Sequence, residues 1–140
     1  MRADFYLIAK PRFREQPLRL VCELARKAHD ANLWTLVLAR DAAQAEALDD
    51  MLWDMGEDAY IPHQIAGADA DEEEAAVLIA PPEVDAPLRP LVINLRDAAV
   101  EGSFERVLEV VPADDDARGP LRERWTQYKA RGLQVSKHDM

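Results

Sequence analysis

Leu33-Trp34-Thr35-Leu36-Val37-Leu38-Ala39, trailed almost at once by Asp41 and the segment Ala42 to Met55, decides the fold. The first run is almost continuously apolar, the pattern of a strand covered on both faces. Asp41 is a good N-cap for a helix beginning at Ala42. Ala45, Leu48, Met51, Leu52 and Met55 then recur at helical spacing, and Gly56 ends the stripe. A strand buried on both sides that passes directly into a helix is the unit of an α/β domain.

Working outward, the same alternation recurs. Phe5-Tyr6-Leu7-Ile8-Ala9 reads as a buried first strand. Pro11 and Pro17 bracket a connector, and Leu18 to Ala31 reads as a helix on Leu20, Val21, Leu24, Ala25 and Ala28, stopped at Asn32. Downstream, Ala59 to Pro62 is a short edge-like strand, because Pro62 has no N–H for a ladder. A polar acidic loop runs from Gln64 to Ala75. Val77 to Ala80, Leu91 to Leu95 and Arg106 to Val111 are further strands. A proline-rich connector from Pro81 to Pro90 separates the first two. Asp97 to Phe104 is a short helix or turn. Leu121 to Ala130 is a final helix, with Pro120 in its first turn and Gly132 after its end. Asp114, Asp115 and Asp116 place negative charge at its start. Phe5, Tyr6 and Trp34 are expected in the core.

This alternation predicts a single three-layer α/β domain over residues 1–140, with a mostly parallel sheet of about five or more strands and right-handed crossovers. A chain of 140 residues has room for one domain. Met1-Arg2-Ala3-Asp4 soon meets Lys10, which predicts no signal peptide, and the lone Cys22 suits a reducing, cytoplasmic address. No apolar run approaches the roughly 18 residues of a membrane span.

Charge is unevenly placed. The formal net charge is −10. Residues 41–83 hold 13 acidic residues and no lysine or arginine. Residues 117–137 are the reverse, with Arg118, Arg122, Arg124, Lys129, Arg131 and Lys137 against Glu123. Direct nucleic-acid binding needs a broad positive face, and this composition argues against it. A local basic patch on an acidic protein suits an acidic peptide or small ligand.

Catalytic signatures are missing. None of the five glycines forms a dinucleotide or phosphate-loop motif, so the predicted α/β domain is expected to lack a phosphate loop. His29, His63 and His138 lie far apart in sequence, and Asp69 to Glu74 lacks the ligand alternation of a calcium loop. No metal or cofactor is expected. Cys22, between Val21 and Leu24, reads as an inert buried thiol. The rival enzymatic reading is a nucleotide or phosphoester hydrolase using His63 and Asp41 at strand ends. A third reading is a direct single-strand binder using Trp125 and the basic helix.

The informative residues are Arg118, Arg122 and Trp125, spaced i, i+4, i+7, with Lys129 beyond them. An aromatic between cations suits a peptide carrying a carboxylate and an apolar side chain. The alternative is a core tryptophan beside a solvated charged face. Trp53, near the end of its helix, is either a boundary aromatic or a ligand contact. Tyr60 is either a strand residue or a partner anchor.

Taken in order, Phe5-Tyr6-Leu7, Leu20-Val21-Cys22-Glu23-Leu24-Ala25, Gln44 to Asp49 with Leu52-Trp53, Ile61-Pro62-His63, Pro90 to Leu95, Val110-Val111-Pro112 and Arg122 to Tyr128 before Gly132 resemble the chi subunit of bacterial DNA polymerase III holoenzyme. The resemblance covers essentially the whole chain. It implies a Rossmann-like fold without a phosphate loop and a non-catalytic clamp-loader accessory protein without a cofactor. It implies binding to the acidic, phenylalanine-terminated tail of single-stranded-DNA-binding protein. It also implies binding to the psi subunit, or in its place to a helicase-like repair protein, with no direct nucleic-acid or membrane contact. The family's tail site would fall on Arg118, Arg122, Trp125 and Trp53, with Val111 and Tyr128 nearby, and a psi contact on Tyr60. The expectation is that the tail's last aromatic buries between the two tryptophans. Two residues depart from the family pattern: Trp125 stands where tyrosine is familiar, and Arg118 where lysine is.

Overall fold

The computed structural model describes residues 1–55, 61–67 and 74–140. Within them lies one sheet of seven strands: β1 Arg2–Leu7, β2 Thr35–Leu38, β3 His63–Ile65, β4 Val77–Ala80, β5 Leu91–Asn94, β6 Arg106–Val111 and β7 Gln134–Asp139. Their order is β3-β4-β2-β5-β6-β1-β7, and every pairing is parallel. The helices are α1 Pro11–Glu15, α2 Pro17–Asp30, α3 Ala42–Trp53 and α4 Arg118–Ala130. The expected three-layer α/β fold is present.

Alternation along the strands sorts the core into two faces. Val37, Val77, Ile79, Leu91, Ile93, Leu108 and Val110 point toward α1, α2 and α3, where they meet Phe13, Leu20, Val21, Leu24, Ala45, Leu48 and Leu52. Ala3, Phe5, Val92, Val107 and Val111 point the other way, toward Tyr128, Phe104 and Val100, with Leu121 and Trp125 packed beside them. Leu36, Leu78 and Ala80, at the β3 end of that second face, lie under Val84, Ala86 and Leu88 of the proline-rich connector. Helices α3 and α4 therefore cover opposite faces of the sheet.

Local signals explain the helix ends. Asp41 caps α3, its side chain accepting from the Gln44 N–H at 2.7 Å. After α2, Asn32 adopts φ 59°, its N–H reaches His29 and the Leu33 N–H reaches the Ala28 carbonyl. After α4, Gly132 adopts φ 86°, and Gly132 and Leu133 donate to Lys129 and Tyr128. Both ends satisfy orphan carbonyls through a residue that tolerates the left-handed conformation.

Several expectations are corrected. The connector between Pro11 and Pro17 contains α1, started by proline at its first position and held by fully buried Phe13. The residues after Gly132, which the sequence pattern assigns to no element, form β7, which pairs with β1 from Arg2↔Gln134 to Leu7↔Asp139. Trp34 is not core. It precedes β2, which starts at Thr35, and is 45% exposed, with the Arg89 guanidinium 5.2 Å from its ring centroid. Tyr6 is half-buried rather than core. The described edge strand is His63–Ile65, and Ile61 and Pro62 of the expected Ala59 to Pro62 strand precede it. Gly56, Ala59 and Tyr60, and the acidic loop from Asp69 to Glu73, lie outside the described residues. Cys22 is buried, which pushes its thiol pKa up to about 11 and keeps it unreactive.

Candidate functional site: the exposed face of helix α4

Helix α4 is built on a buried polar anchor. Glu109 on β6 is fully buried. Arg124 Nε lies 2.8 Å from its Oε1. The Tyr128 hydroxyl donates to its Oε2 at 2.6 Å and accepts from the Val100 N–H at 2.9 Å. Asn94 Nδ2 donates to the same carboxylate at 2.9 Å. Arg124 also donates to the Asp97 carbonyl at 2.8 Å, and Arg131 to the Val100 carbonyl at 2.6 Å. Burial pushes the Glu109 carboxyl up, and Arg124 with the Tyr128 and Asn94 hydrogen bonds pulls against it. Burial first, then the Glu109 charge, drive the Tyr128 phenol well above its ordinary value. These bonds fix both the rotation and the position of α4 over the sheet.

With Arg124 and Tyr128 facing inward, helical spacing turns Arg118, Arg122, Trp125 and Lys129 toward one outer flank. Arg118 and Arg122 are exposed. Arg118 has a loose partner, Asp115, at 3.7 Å. Trp125 is half-buried, its ring centroid 5.2 Å from that of Phe5 on β1 and tilted by 44°. Lys129 Nζ lies 5.8 Å from the Trp125 ring centroid. The aromatic is thus seated on the core while its outer part is flanked by cations. This arrangement can take an apolar side chain and hold carboxylates beside it.

Not every expected site residue joins this face. Val111 and Tyr128 share the α4 side of the sheet but are buried, Tyr128 completely; they belong to the core cluster against which Trp125 packs. Trp53 belongs to α3, on the opposite face, so the structure offers no notch between Trp53 and Trp125. The sequence could not separate them, because a motif on each helix says nothing of which sheet face that helix covers. Trp53 is 58% exposed and stands edge-on to His63, with centroids 4.8 Å apart. The His63 side chain is fully buried, its Nε2 3.1 Å from Asp49 Oδ1 and its Nδ1 2.8 Å from the Ile61 carbonyl oxygen. The hydrolase pairing of His63 with Asp41 is not assembled. Asp41 caps the start of α3, while His63 meets Asp49, eight residues and about 12 Å further along that helix.

Sequence reasoning missed a second polar cluster. Asp4 on β1 is almost fully buried and is met by Arg106 Nε at 2.7 Å, Arg2 Nε at 3.1 Å and His138 Nε2 at 3.0 Å. The Tyr6 and His138 rings stack at 4.9 Å. The available signal was an aspartate inside an apolar strand, which a buried position tolerates only with partners. Among the described residues no three histidine, cysteine or acidic side chains could hold a metal ion. Nor is any described helix long and apolar enough to cross a membrane.

The fold and this face define a three-layer α/β domain without a phosphate loop, presenting a cation-flanked tryptophan on its last helix. The family profile described as "DNA polymerase III chi subunit, HolC" matches residues 1–136. The chain is 34% identical to the DNA polymerase III subunit chi of Pseudomonas aeruginosa, covering 98% of this chain and 95% of that one. It is 30% identical to the DNA polymerase III subunit chi of Escherichia coli, covering 84% and 82%. The chain belongs to the DNA polymerase III chi subunit family.

Proposed function

We propose that this chain acts as a non-catalytic coupling subunit, binding the acidic, aromatic-ended C-terminal tail of single-stranded-DNA-binding protein through α4 and joining the clamp loader through psi. The observation that carries the reading is Trp125, half-buried on Phe5 and flanked by Arg118, Arg122 and Lys129 on a protein of net charge −10. The tail's last aromatic would lie against the Trp125 platform, with the cations pairing to its carboxylates. Weak binding, on the order of micromolar or about −8 kcal/mol per tail, suits a coupling that must release. Many tails on one coated strand add avidity.

The separate position of Trp53 supports a second face. Trp53, His63 and buried Ile61 adjoin in space and flank the Tyr60 segment in sequence. We assign Trp53, together with Tyr60, to the psi side rather than to the tail site. A helicase-like repair protein would compete for the same side.

The test is titration of a fluorescent peptide matching the host's single-stranded-DNA-binding protein C-terminus, with Trp125→Ala as control. Saturable binding that the variant loses is the expected result. No binding at low salt overturns the reading, and turnover of nucleotides with magnesium would then favour the hydrolase alternative.

A further inference from the structure

We infer that the tail site does not end at α4 but continues onto the edge strand β7, where Lys137 supplies an additional cation for the acidic part of the tail. The inference rests on the tail-binding reading above and extends the same site.

The sheet register fixes the placement. Lys137 is the direct partner of Phe5 in the parallel β1–β7 pair. Side chains of directly paired residues on neighbouring strands leave the same face of the sheet, roughly 5 Å apart. Phe5 faces α4 and carries the Trp125 ring at 5.2 Å. Lys137 therefore stands on the α4 side, one strand beyond Phe5, and is exposed. Val135, two residues earlier, is the partner of Ala3 and packs against the same cluster as Trp125. The outer side of Trp125 is bounded by Lys129 on the helix and by the Val135 and Lys137 row on the strand.

The consequence is a surface whose aromatic and aliphatic centre, Trp125 and Val135, has cations on two sides. Arg118, Arg122 and Lys129 lie on the helix side, and Lys137 on the strand side. The acids facing it are few: Asp139 shares the Lys137 row in register with Leu7, and Asp115 sits at the Arg118 end. β7 is the last strand of the sheet, so nothing in the sheet covers this side. An acidic peptide is the occupant that this charge pattern fits, on a protein of net charge −10 whose residues 41–83 carry no lysine or arginine. Lys137 would meet an acidic side chain upstream of the terminal aromatic.

The experiment measures affinity of the fluorescent tail peptide for the intact chain and for Lys137→Gln, Lys137→Glu and Arg26→Glu. Arg26 is exposed on α2, which covers the opposite face, and controls for net charge alone. At low salt Lys137→Gln should weaken binding about threefold and Lys137→Glu about tenfold, while Arg26→Glu stays within about twofold. A series of peptides with one acid at a time replaced by its amide locates the partner. For one of them, Lys137→Gln should cost no further affinity, a coupling that a general structural effect would not produce. Wild-type binding with unchanged affinity in Lys137→Glu overturns this inference and leaves the tail-binding reading standing. Equal weakening by Lys137→Glu and Arg26→Glu overturns it as well. Absence of wild-type binding overturns both.

Discussion

The Tyr128 hydroxyl reaches across from α4 to Glu109 on β6, donating to the buried carboxylate at 2.6 Å while accepting from the Val100 N–H. This bond, with Arg124 on the other oxygen, orients the helix whose outer flank carries Trp125. Tyr128→Phe leaves the buried Val100 N–H without its acceptor and removes one of the two donors to Glu109 Oε2, where Asn94 remains, and should destabilise the fold by about 1–3 kcal/mol. Arg124→Ala removes one member of a buried ion pair and should cost roughly 3–5 kcal/mol. Urea unfolding reads both. Because Tyr128 is completely buried, tail-peptide affinity of folded Tyr128→Phe should stay within about twofold of wild type. A Tyr128→Phe variant as stable as the parent would refute the anchor.

Asp4 gives the protein an acid-sensitive edge. Burial alone would raise its carboxyl pKa, but hydrogen bonds from His138, Arg106 and Arg2 outweigh it and hold the group below its ordinary value of 3.8. A depressed folded pKa means that the native state binds its proton less readily than the unfolded chain. The resulting stability is present above the unfolded value and is lost as pH falls through the folded one. Asp4→Asn should therefore be less stable than wild type at neutral pH, by about 2 kcal/mol. The gap should close as pH drops below about 4. A gap that widens on acidification contradicts the assignment.

Much of this architecture was legible in the sequence, and the exceptions share a cause. Val77–Ala80, Leu91–Asn94 and Thr35–Leu38 announce themselves because central parallel strands are apolar on both faces. β7 does not, because Gln134, Ser136, Lys137 and His138 need only one strand partner and remain largely in water. Helix α1 is too short for periodicity, and only Phe13 betrays it. For the α4 face, spacing brought Arg118, Arg122 and Trp125 together. It could not tell that Tyr128 points inward to Glu109, since that partner is 19 residues away on another element. Nor could it tell that Trp53 and Trp125 belong to opposite faces, which is a property of the crossovers rather than of either helix.

Trp125 and Arg122 should contribute to tail binding in different ways. An aromatic anchor seated on Phe5 acts through burial, which salt barely changes, so Trp125→Ala should lose roughly 2 kcal/mol or more at physiological salt. Arg122 is exposed, and an exposed charge pair contributes about 0–1 kcal/mol and is screened. Arg122→Ala should weaken the peptide several-fold at low salt and little at high salt. Affinity measured across a salt series decides the matter. Parallel losses for both variants at every salt concentration would contradict this division.

Trp53 provides the sharpest separation of the two proposed faces. It lies at the end of α3, on the sheet face opposite α4, and its ring meets His63 rather than Trp125. It is also 58% exposed, so its removal opens no large cavity, and Trp53→Ala should fold with a loss within about 1 kcal/mol. If the tail site lies wholly on the α4 side, this variant binds the tail peptide as wild type does. If the exposed Trp53 surface docks psi, the same variant loses psi in co-purification or surface plasmon resonance by at least about tenfold, the scale of an exposed aromatic anchor at an interface. The reciprocal variant, Trp125→Ala, should lose the peptide and keep psi. Loss of peptide binding in Trp53→Ala would mean that the tail spans both sides of the sheet. Loss of neither ligand would remove Trp53 from both interfaces.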